Sequence, residues 1–496
     1  MPALPRSAWY DLTRDMNWDL SYVDEEQAFP RDVSNAYGVS ARQWWTWDEP
    51  YKITYREYAH NQAGKDAAVY AVNQVAARSA VYERLDPGWR AAVLAHYGVT
   101  PLTEYLGAIA EGRMARFGRA AAWRNMATLG TLDEIRHAQI QAYFAHSLLS
   151  KEPRADWAHR TLHTQHWGAI AARVAFDDTF GGNDAVSTAI QLTFALETGF
   201  SNLQFLGMAA QALEVGDLEF ASLISSIQTD EARHAQQGEP TIKILLQAGR
   251  KDEVQQLVDV AFWRVWRIFA LLTGMSMDYY TPLEHRDQSF KEFMNEWIIK
   301  QFSDQFRDLG LELPWYWNKH FLPELDWFHH AVQIGVWYLR ASMWWDPHAG
   351  VTVPERAWLE EKYPGWGRTF GPMWDQLAEC LREGREIPTS LPTLCHACNL
   401  ALATPAGHRA GLLDSPEPLT MEHAGRRYFF CSPPCRWIFS LRPERYAGHV
   451  TLTERFAAGD IQPPTLEGAL AYMGLKPGEY GDDSTGYAWA LGRKEP

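Results

Sequence analysis

One eight-residue pattern occurs twice in this chain, and few folds can use it. The first copy is LDEIRHAQ, with Glu134 and His137; the second is TDEARHAQ, with Glu231 and His234. Each copy sets a carboxylate and an imidazole three residues apart. At about 100° per residue, a three-residue step returns to the same helix face one turn along. Each copy can therefore offer two ligands to one metal ion, provided both stretches are helical.

Each copy also has a carboxylate upstream on an otherwise apolar helical segment. Glu104 lies in TEYLGAIAEGRMARF, thirty residues before Glu134, and Glu197 lies in FALETGFSNLQF, thirty-four before Glu231. A buried, unpaired carboxylate is costly, so both need a partner such as a metal. Four Glu and two His from four facing helices are the ligand inventory of ferritin-like di-iron and di-manganese bundles. Carboxylates are hard ligands that can bridge two ions, and imidazole suits iron and manganese. Asp133 and Asp230 each immediately precede a ligand Glu. A carboxylate there can accept the distal N–H of a ligand His. Cross-pairing is expected, Asp133 with His234 and Asp230 with His137, with Arg136 and Arg233 offsetting the added charge.

The rest of the chain reads as a mainly α protein: a ferritin-like helical bundle, a further helical layer and a small mixed α/β C-terminal region. Residues 1–54 form an aromatic- and proline-rich arm with short helices, wrapping a lobe or a partner subunit. Residues 55–275 carry apolar positions at three- and four-residue spacing, as in REYAHNQAGKDAAVYAVNQVAARSAVYE. Turn chemistry interrupts them at Asp86-Pro87-Gly88, Gly181-Gly182-Asn183-Asp184 and Gly216-Asp217. Residues 276–385 continue as aromatic-dense helices, in PWYWNKHF, DWFHH and VWYLRASMWW. From residue 386 the composition shifts, and RRYFF and HVTLTERF read as short strands.

Charge and cysteine use narrow the setting. Lys and Arg number 46 against 61 Asp and Glu, a net charge of -15, which disfavours nucleic acid and anionic membranes and leaves room for basic protein partners. No apolar run reaches membrane-spanning length, and MPALPRSAWYDLTRD has no apolar h-region, so no secretory signal is expected. The expected setting is a reducing, bacterial-type cytoplasm. Two close pairs, Cys395 with Cys398 and Cys431 with Cys435, suit a tetrahedral zinc site, with buried free thiols as the alternative. Cys380 reads as a core thiol.

At this point the chain resembles a known family, the bacterial multicomponent monooxygenases. The likeness is to the hydroxylase alpha subunit of the toluene/alkene branch. It runs over nearly the whole chain, through WYDLTRDMNW, SYVDEEQAFP, EGRMARF, ETGFSNLQFLG, LISSIQTDEARHAQQG, MDYYTPLE, SFKEFMNEWI, PWYWN and IQPPTLEGALAYMG. The resemblance implies a non-haem di-iron centre that activates O2. Glu104, Glu134 and His137 would hold one iron, and Glu197, Glu231 and His234 the other. It implies beta and gamma subunits, two copies of each of the three, and a small effector protein. Electrons would come from NADH through a flavin (FAD) and iron–sulfur reductase and a Rieske ferredoxin.

By position in the family, Ser201 supplies the hydroxyl beside the metals, and Asn202 and Gln228 are tied to effector-linked rearrangement. The substrate pocket would include Thr100, Thr103, Gly107, Phe176, Leu192, Leu196 and Phe205. Thr100, Thr103 and Leu196 depart from the aromatic-oxidising pattern. The EGRMARF and QTDEARHAQQG stretches resemble toluene enzymes, whereas MSMDYYTPL and ERYAGH resemble alkene monooxygenases. The expectation is aromatic hydroxylation of a toluene, benzene or phenol type, with epoxidation of a small alkene as the alternative. More distant readings of the ligand set are a ribonucleotide reductase small subunit and an iron store. The first would need a radical tyrosine beside the metals, and none stands out. The second involves far shorter chains.

Overall fold

The computed structural model describes residues 5–153, 155, 160–339, 350–388, 391–402, 419–475 and 490. The end of the aromatic-rich stretch VWYLRASMWW, from residue 340, lies outside them, as does much of the chain's C-terminal end. The described residues are mainly helical, and no helix among them is long and apolar enough to cross a membrane.

Four long helical stretches build the centre. The Glu104 helix, Pro87–Phe117, pairs along its length with the Glu134 helix, Ala121–Ser147. The Asp86-Pro87-Gly88 break is the start of the first of these. Asp86 caps it by accepting the N–H groups of Gly88 and Trp89, and Pro87 stands in the first turn, where no N–H is needed. The Glu231 helix, Leu218–His234, starts just after Gly216, which takes a positive φ of 82°, and is capped by Asp217.

The Glu197 stretch holds the longest π-helical run among the described residues. It begins α-helical at Ala185–Thr188, runs as π-helix over Ala189–Ser201 and returns to α-helix over Asn202–Glu214. Widened i→i+5 turns are rare and concentrate at functional sites. Here they carry Glu197 and Ser201.

Around this centre lie two other helices that matter for the site. Tyr55–Ala77 crosses the Glu134 and Glu231 helices. Lys251–Phe269 packs on the π-helical stretch. The N-terminal arm holds short helices at Arg6–Thr13, Glu25–Ala28 and Ala41–Trp44. It is anchored on its own chain: Trp44 and Trp47 each stack on Trp123 at 6.0 Å, and the Trp47 indole donates to Thr241 at 3.1 Å. Trp18 and Tyr22 of the same arm remain exposed.

The C-terminal region holds a two-stranded antiparallel hairpin, Thr420–His423 with Arg426–Phe429. Ala424 and Gly425 both take positive φ, the geometry that matches the twist of a tight hairpin. RRYFF is thus a strand, but HVTLTERF is not. Leu452–Ala457 is a helix, because Thr451 and Glu454 close a reciprocal capping box at its start.

Candidate metal centre

The four central helices converge on one buried point. Glu104, Glu134, His137, Glu197, Glu231 and His234 are each 7% exposed or less. They form two overlapping groups, Glu104, Glu134, His137 and Glu231, and Glu134, Glu197, Glu231 and His234. Donor atoms within each group lie within 4.8 Å of one another. Glu134 and Glu231 belong to both, the placement expected of carboxylates that bridge two ions.

Both imidazoles point Nδ1 inward. His137 Nδ1 lies 3.1 Å from Glu231 Oε1 and 3.5 Å from Glu104 Oε2, and His234 Nδ1 lies 3.1 Å from Glu134 Oε1. Their Nε2 atoms point outward, across to the other motif copy: His234 to Asp133 at 3.0 Å and His137 to Asp230 at 3.3 Å. An aspartate accepting the Nε2 proton leaves the Nδ1 lone pair free to bind a metal.

These residues fit two divalent ions. Glu231 Oε1, Glu197 Oε2 and His137 Nδ1 are buried with no hydrogen-bond partner. Burial, then the charges of the neighbouring carboxylates, push the Glu134 and Glu197 carboxyls well above the usual range. Four carboxylates packed together need four positive charges, and two divalent cations supply them. Oxygen and imidazole donors without thiolate suit iron or manganese.

The surroundings hold more than the sequence indicated. Arg136 contacts Asp66, Asp230 and Ser226, and Arg233 pairs with Asp133 and stands 3.5 Å from Asp230. Gln62, from the crossing helix, donates to both Asp133 and Asp230, at 2.6 and 2.8 Å, and Tyr58 and Lys65 join them. Tyr58, Gln62 and Lys65 recur at helical spacing, a polar stripe that could have flagged this face. Gln141 donates to Glu104 at 3.0 Å and accepts from His96 and Thr100. Glu111 lies two turns beyond Glu104, fully buried. Burial pushes its carboxyl up to about 7, and Gln237 donates to its Oε1.

A cavity opens onto the cluster. Thr100, Thr103, Gly107, Phe176, Leu192, Leu196 and Phe205 all line it, together with Ser201 and the carboxylates Glu104, Glu134, Glu197 and Glu231. The Thr103 hydroxyl donates to the Val99 carbonyl at 2.9 Å, and the Thr100 hydroxyl proton is shared between the His96 carbonyl, at 2.8 Å, and Gln141 Oε1. Ser201 Oγ is buried without a partner. Asn202 and Gln228 do not line the cavity; they bond to each other across two helices at 2.7 Å.

Gly107 has a steric role. A Cβ there would lie 2.7 Å from Glu134 Oε2, closer than real contacts allow. Gly107→Ala is expected to displace that carboxylate and lower iron binding and turnover roughly tenfold or more. Gly371→Ala, where a Cβ meets nothing within 4 Å, is the control. Iron per chain and oxidation rate, measured together, check this; equal iron content in both variants would refute it.

Two other clusters exist among the described residues. Cys395, Cys398, Cys431 and Cys435 are buried, with all four sulfurs within 4.8 Å. Cys431 Sγ lies 3.5 Å from Cys435 and 3.7 Å from Cys398. A metal with bonds of about 2.3 Å to sulfur sets tetrahedral edges near 3.8 Å, so the cysteines fit a mononuclear ion such as zinc. Cys380 is buried apart from them. Asp278, His329 and His330 also gather, but hydrogen bonds already occupy Asp278, from Tyr363, His329 and the Phe290 amide.

A helical bundle that sets paired carboxylate–histidine groups beside a largely apolar cavity is the architecture of a di-metal carboxylate protein. Residues 18–249 match the Methane/Phenol/Alkene Hydroxylase family, and residues 416–450 match the YHS domain, whose first positions fall outside the described residues. The chain is 43% identical over 493 residues to the alkene monooxygenase system oxygenase component subunit alpha of Xanthobacter autotrophicus, covering 99% of this chain and 98% of that one. It is 28% identical over 450 residues to the phenol 2-monooxygenase oxygenase component of Pseudomonas sp. strain CF600, covering 88% and 83%. The structure of xenon-pressurised phenol hydroxylase from Pseudomonas sp. OX1 superposes with a TM-score of 0.86 at 25% identity, covering 99% of this chain and 100% of that one. The chain belongs to the methane, phenol and alkene hydroxylase family. Within it, it is an alpha-type catalytic subunit of a multicomponent di-iron monooxygenase.

Proposed function

We propose that this subunit epoxidises a small alkene of the propene or isoprene type. The observation that carries the reading is the 43% identity to an alkene monooxygenase alpha subunit over essentially the full length of both chains. The balance of similarity thus favours the epoxidation alternative over the aromatic hydroxylation expected from the sequence. The phenol-oxidising relatives keep aromatic hydroxylation as the second reading.

Glu104, Glu134 and His137 would hold one iron and Glu197, Glu231 and His234 the other; Glu134 and Glu231 belong to both donor groups. Bound there, the iron pair supplies the reduction of O2, one atom going to substrate and one to water. Asp133 and Asp230 hold the imidazole tautomers. Phe176, Leu192, Leu196 and Phe205 exclude water and press the alkene toward the carboxylates. Ser201 Oγ offers an uncommitted O–H in the same cavity. Glu111, raised by burial to about 7 and held by Gln237, can take up or release a proton beside the cluster near neutral pH. The balance is alkene, O2, NADH and a proton to epoxide, NAD+ and water.

The electrons come from partners: an NADH reductase carrying FAD and an iron–sulfur cluster, and a Rieske-type ferredoxin. Beta and gamma subunits complete the hydroxylase, and a small effector protein acts through the Asn202–Gln228 pair. The four cysteines would hold a structural zinc. The test is product analysis by the reconstituted system offered propene, isoprene, toluene and phenol side by side. Epoxides are expected to form at least tenfold faster than phenolic products, a difference of about 1.4 kcal/mol in barrier. Faster formation of cresols or catechol would overturn the epoxidase reading and leave the aromatic one.

A further inference from the structure

The four-cysteine site is not isolated from the bundle. Two arginines of the Lys251–Phe269 helix reach it from inside the protein. Arg267 Nη1 donates to Cys431 Sγ at 2.9 Å and stands 3.9 Å from Cys398 Sγ. Arg264 Nη1 donates at 2.7 Å to the carbonyl of Ala397, between two of the cysteines. The Trp263 indole N–H donates to Cys435 Sγ at 3.3 Å. Both guanidinium groups are buried, and each has a carboxylate partner. Arg267 grips Glu324 with two N–H groups, at 2.6 and 3.2 Å, and Arg264 pairs with Asp178.

Four thiolates around a divalent ion leave a net double negative charge in a buried place. N–H donors aimed at the sulfurs are what such a charge requires. The same helix has another face. Val265, Ile268 and Phe269, with Leu272 just beyond, line the cavity over the metal cluster. At about 100° per residue, Val265, Ile268 and Phe269 fall roughly opposite Trp263 and Arg267. One helix therefore separates the cysteines from the hydrocarbon cavity and touches both.

We propose that the tetrathiolate centre positions the back wall of the hydrocarbon cavity, with Arg267 and Trp263 as the ties. The idea rests on the reading of the four cysteines as a metal site, and goes beyond it. A module confined to its own hairpin could draw its donors from its own backbone; here they come from the Lys251–Phe269 helix. The ties fix the rotation and depth of the Lys251–Phe269 helix, and so the space left for a substrate beside Glu197. Arg267 and Trp263 are positioning residues, since neither lines that cavity.

The experiment uses the assembled hydroxylase. Trp263→Phe removes one tie. Arg267→Met combined with Glu324→Gln removes the other without stranding a buried charge. Zinc and iron per chain are measured by elemental analysis, zinc affinity by chelator competition, and propene oxide enantiomer ratio with KM for propene by turnover. Expected are unchanged iron, zinc affinity reduced roughly 10- to 100-fold, and an enantiomer ratio or KM altered at least about threefold. Should a variant fail to assemble, zinc is stripped from the wild-type complex with an organomercurial and chelator and then restored. The enantiomer ratio must then move and return. Absence of zinc from the wild-type complex would remove the metal reading itself. Zinc loss with an unchanged enantiomer ratio and KM would leave that reading standing and overturn the positioning role.

Discussion

Glu231→Ala is expected to empty both metal positions. Glu231 belongs to both overlapping ligand groups, and its Oε1 has no other partner. Removing it takes away a carboxylate facing each ion and one of the negative charges that hold them. Glu134→Ala should behave alike. Glu104→Ala and Glu197→Ala each touch one group, and should leave one iron in place. For Glu231→Ala the loss of the metals forfeits about 4 kcal/mol of transition-state stabilisation, roughly a thousandfold in rate. Iron per chain and NADH-dependent oxidation by the reconstituted complex give the readout. Full iron content with undiminished oxidation would refute the ligand assignment.

The second large effect is expected at Asp230, which touches no metal. Its carboxylate is fully buried and meets Lys65 at 2.6 Å, Gln62 at 2.8 Å, Arg136 at 3.2 Å and His137 at 3.3 Å. Asp230→Ala strands the Lys65 and Arg136 cations around a small cavity and frees the His137 ring to turn. Breaking a buried ionic network by removing one partner costs about 3–5 kcal/mol. Loss of the carboxylate behind a ligand histidine costs roughly 10- to 100-fold in metal affinity. The variant should melt well below the wild type and bind iron weakly even when folded. Asp230→Asn keeps the shape and one acceptor oxygen but turns its NH2 toward donors, so it should recover part of the stability and less of the affinity. A melting temperature for Asp230→Ala within about 1 °C of wild type would show that the network is not under strain of this kind.

How much of this was legible without coordinates depended on periodicity. The DExRHAQ copies are helical, so a three-residue spacing translates directly into a shared face. The aspartate pairings followed because each copy carries its own Asp and His, and the four helices pack so that each copy looks at the other. What escaped was not periodic within the motif. Gln62 and Lys65 sit on a different helix, and only packing brings them to Asp230. The π-helical run over Ala189–Ser201 breaks the 3.6-residue period on which sequence reading relies. HVTLTERF alternates like a strand, yet the Thr451–Glu454 box wins because it satisfies two backbone donors at once. Glu111 resembles any surface glutamate until burial shows otherwise. Substrate choice was hardest to read, since Thr100, Thr103 and Leu196 act through the shape of a shared space.

The crossed aspartate–histidine pairs have a consequence for how the enzyme comes into being. Asp133 meets its histidine 101 residues later, and His137 meets Asp230 93 residues later. During synthesis the first copy leaves the ribosome with its imidazole unoriented and two acids without counter-charge. That half holds Glu104, Glu134 and His137 but neither Glu231 nor the aspartate that orients His137. Full metal capture waits until the second copy folds against the first. A chain truncated between the two copies is therefore expected to bind iron far more weakly than the whole.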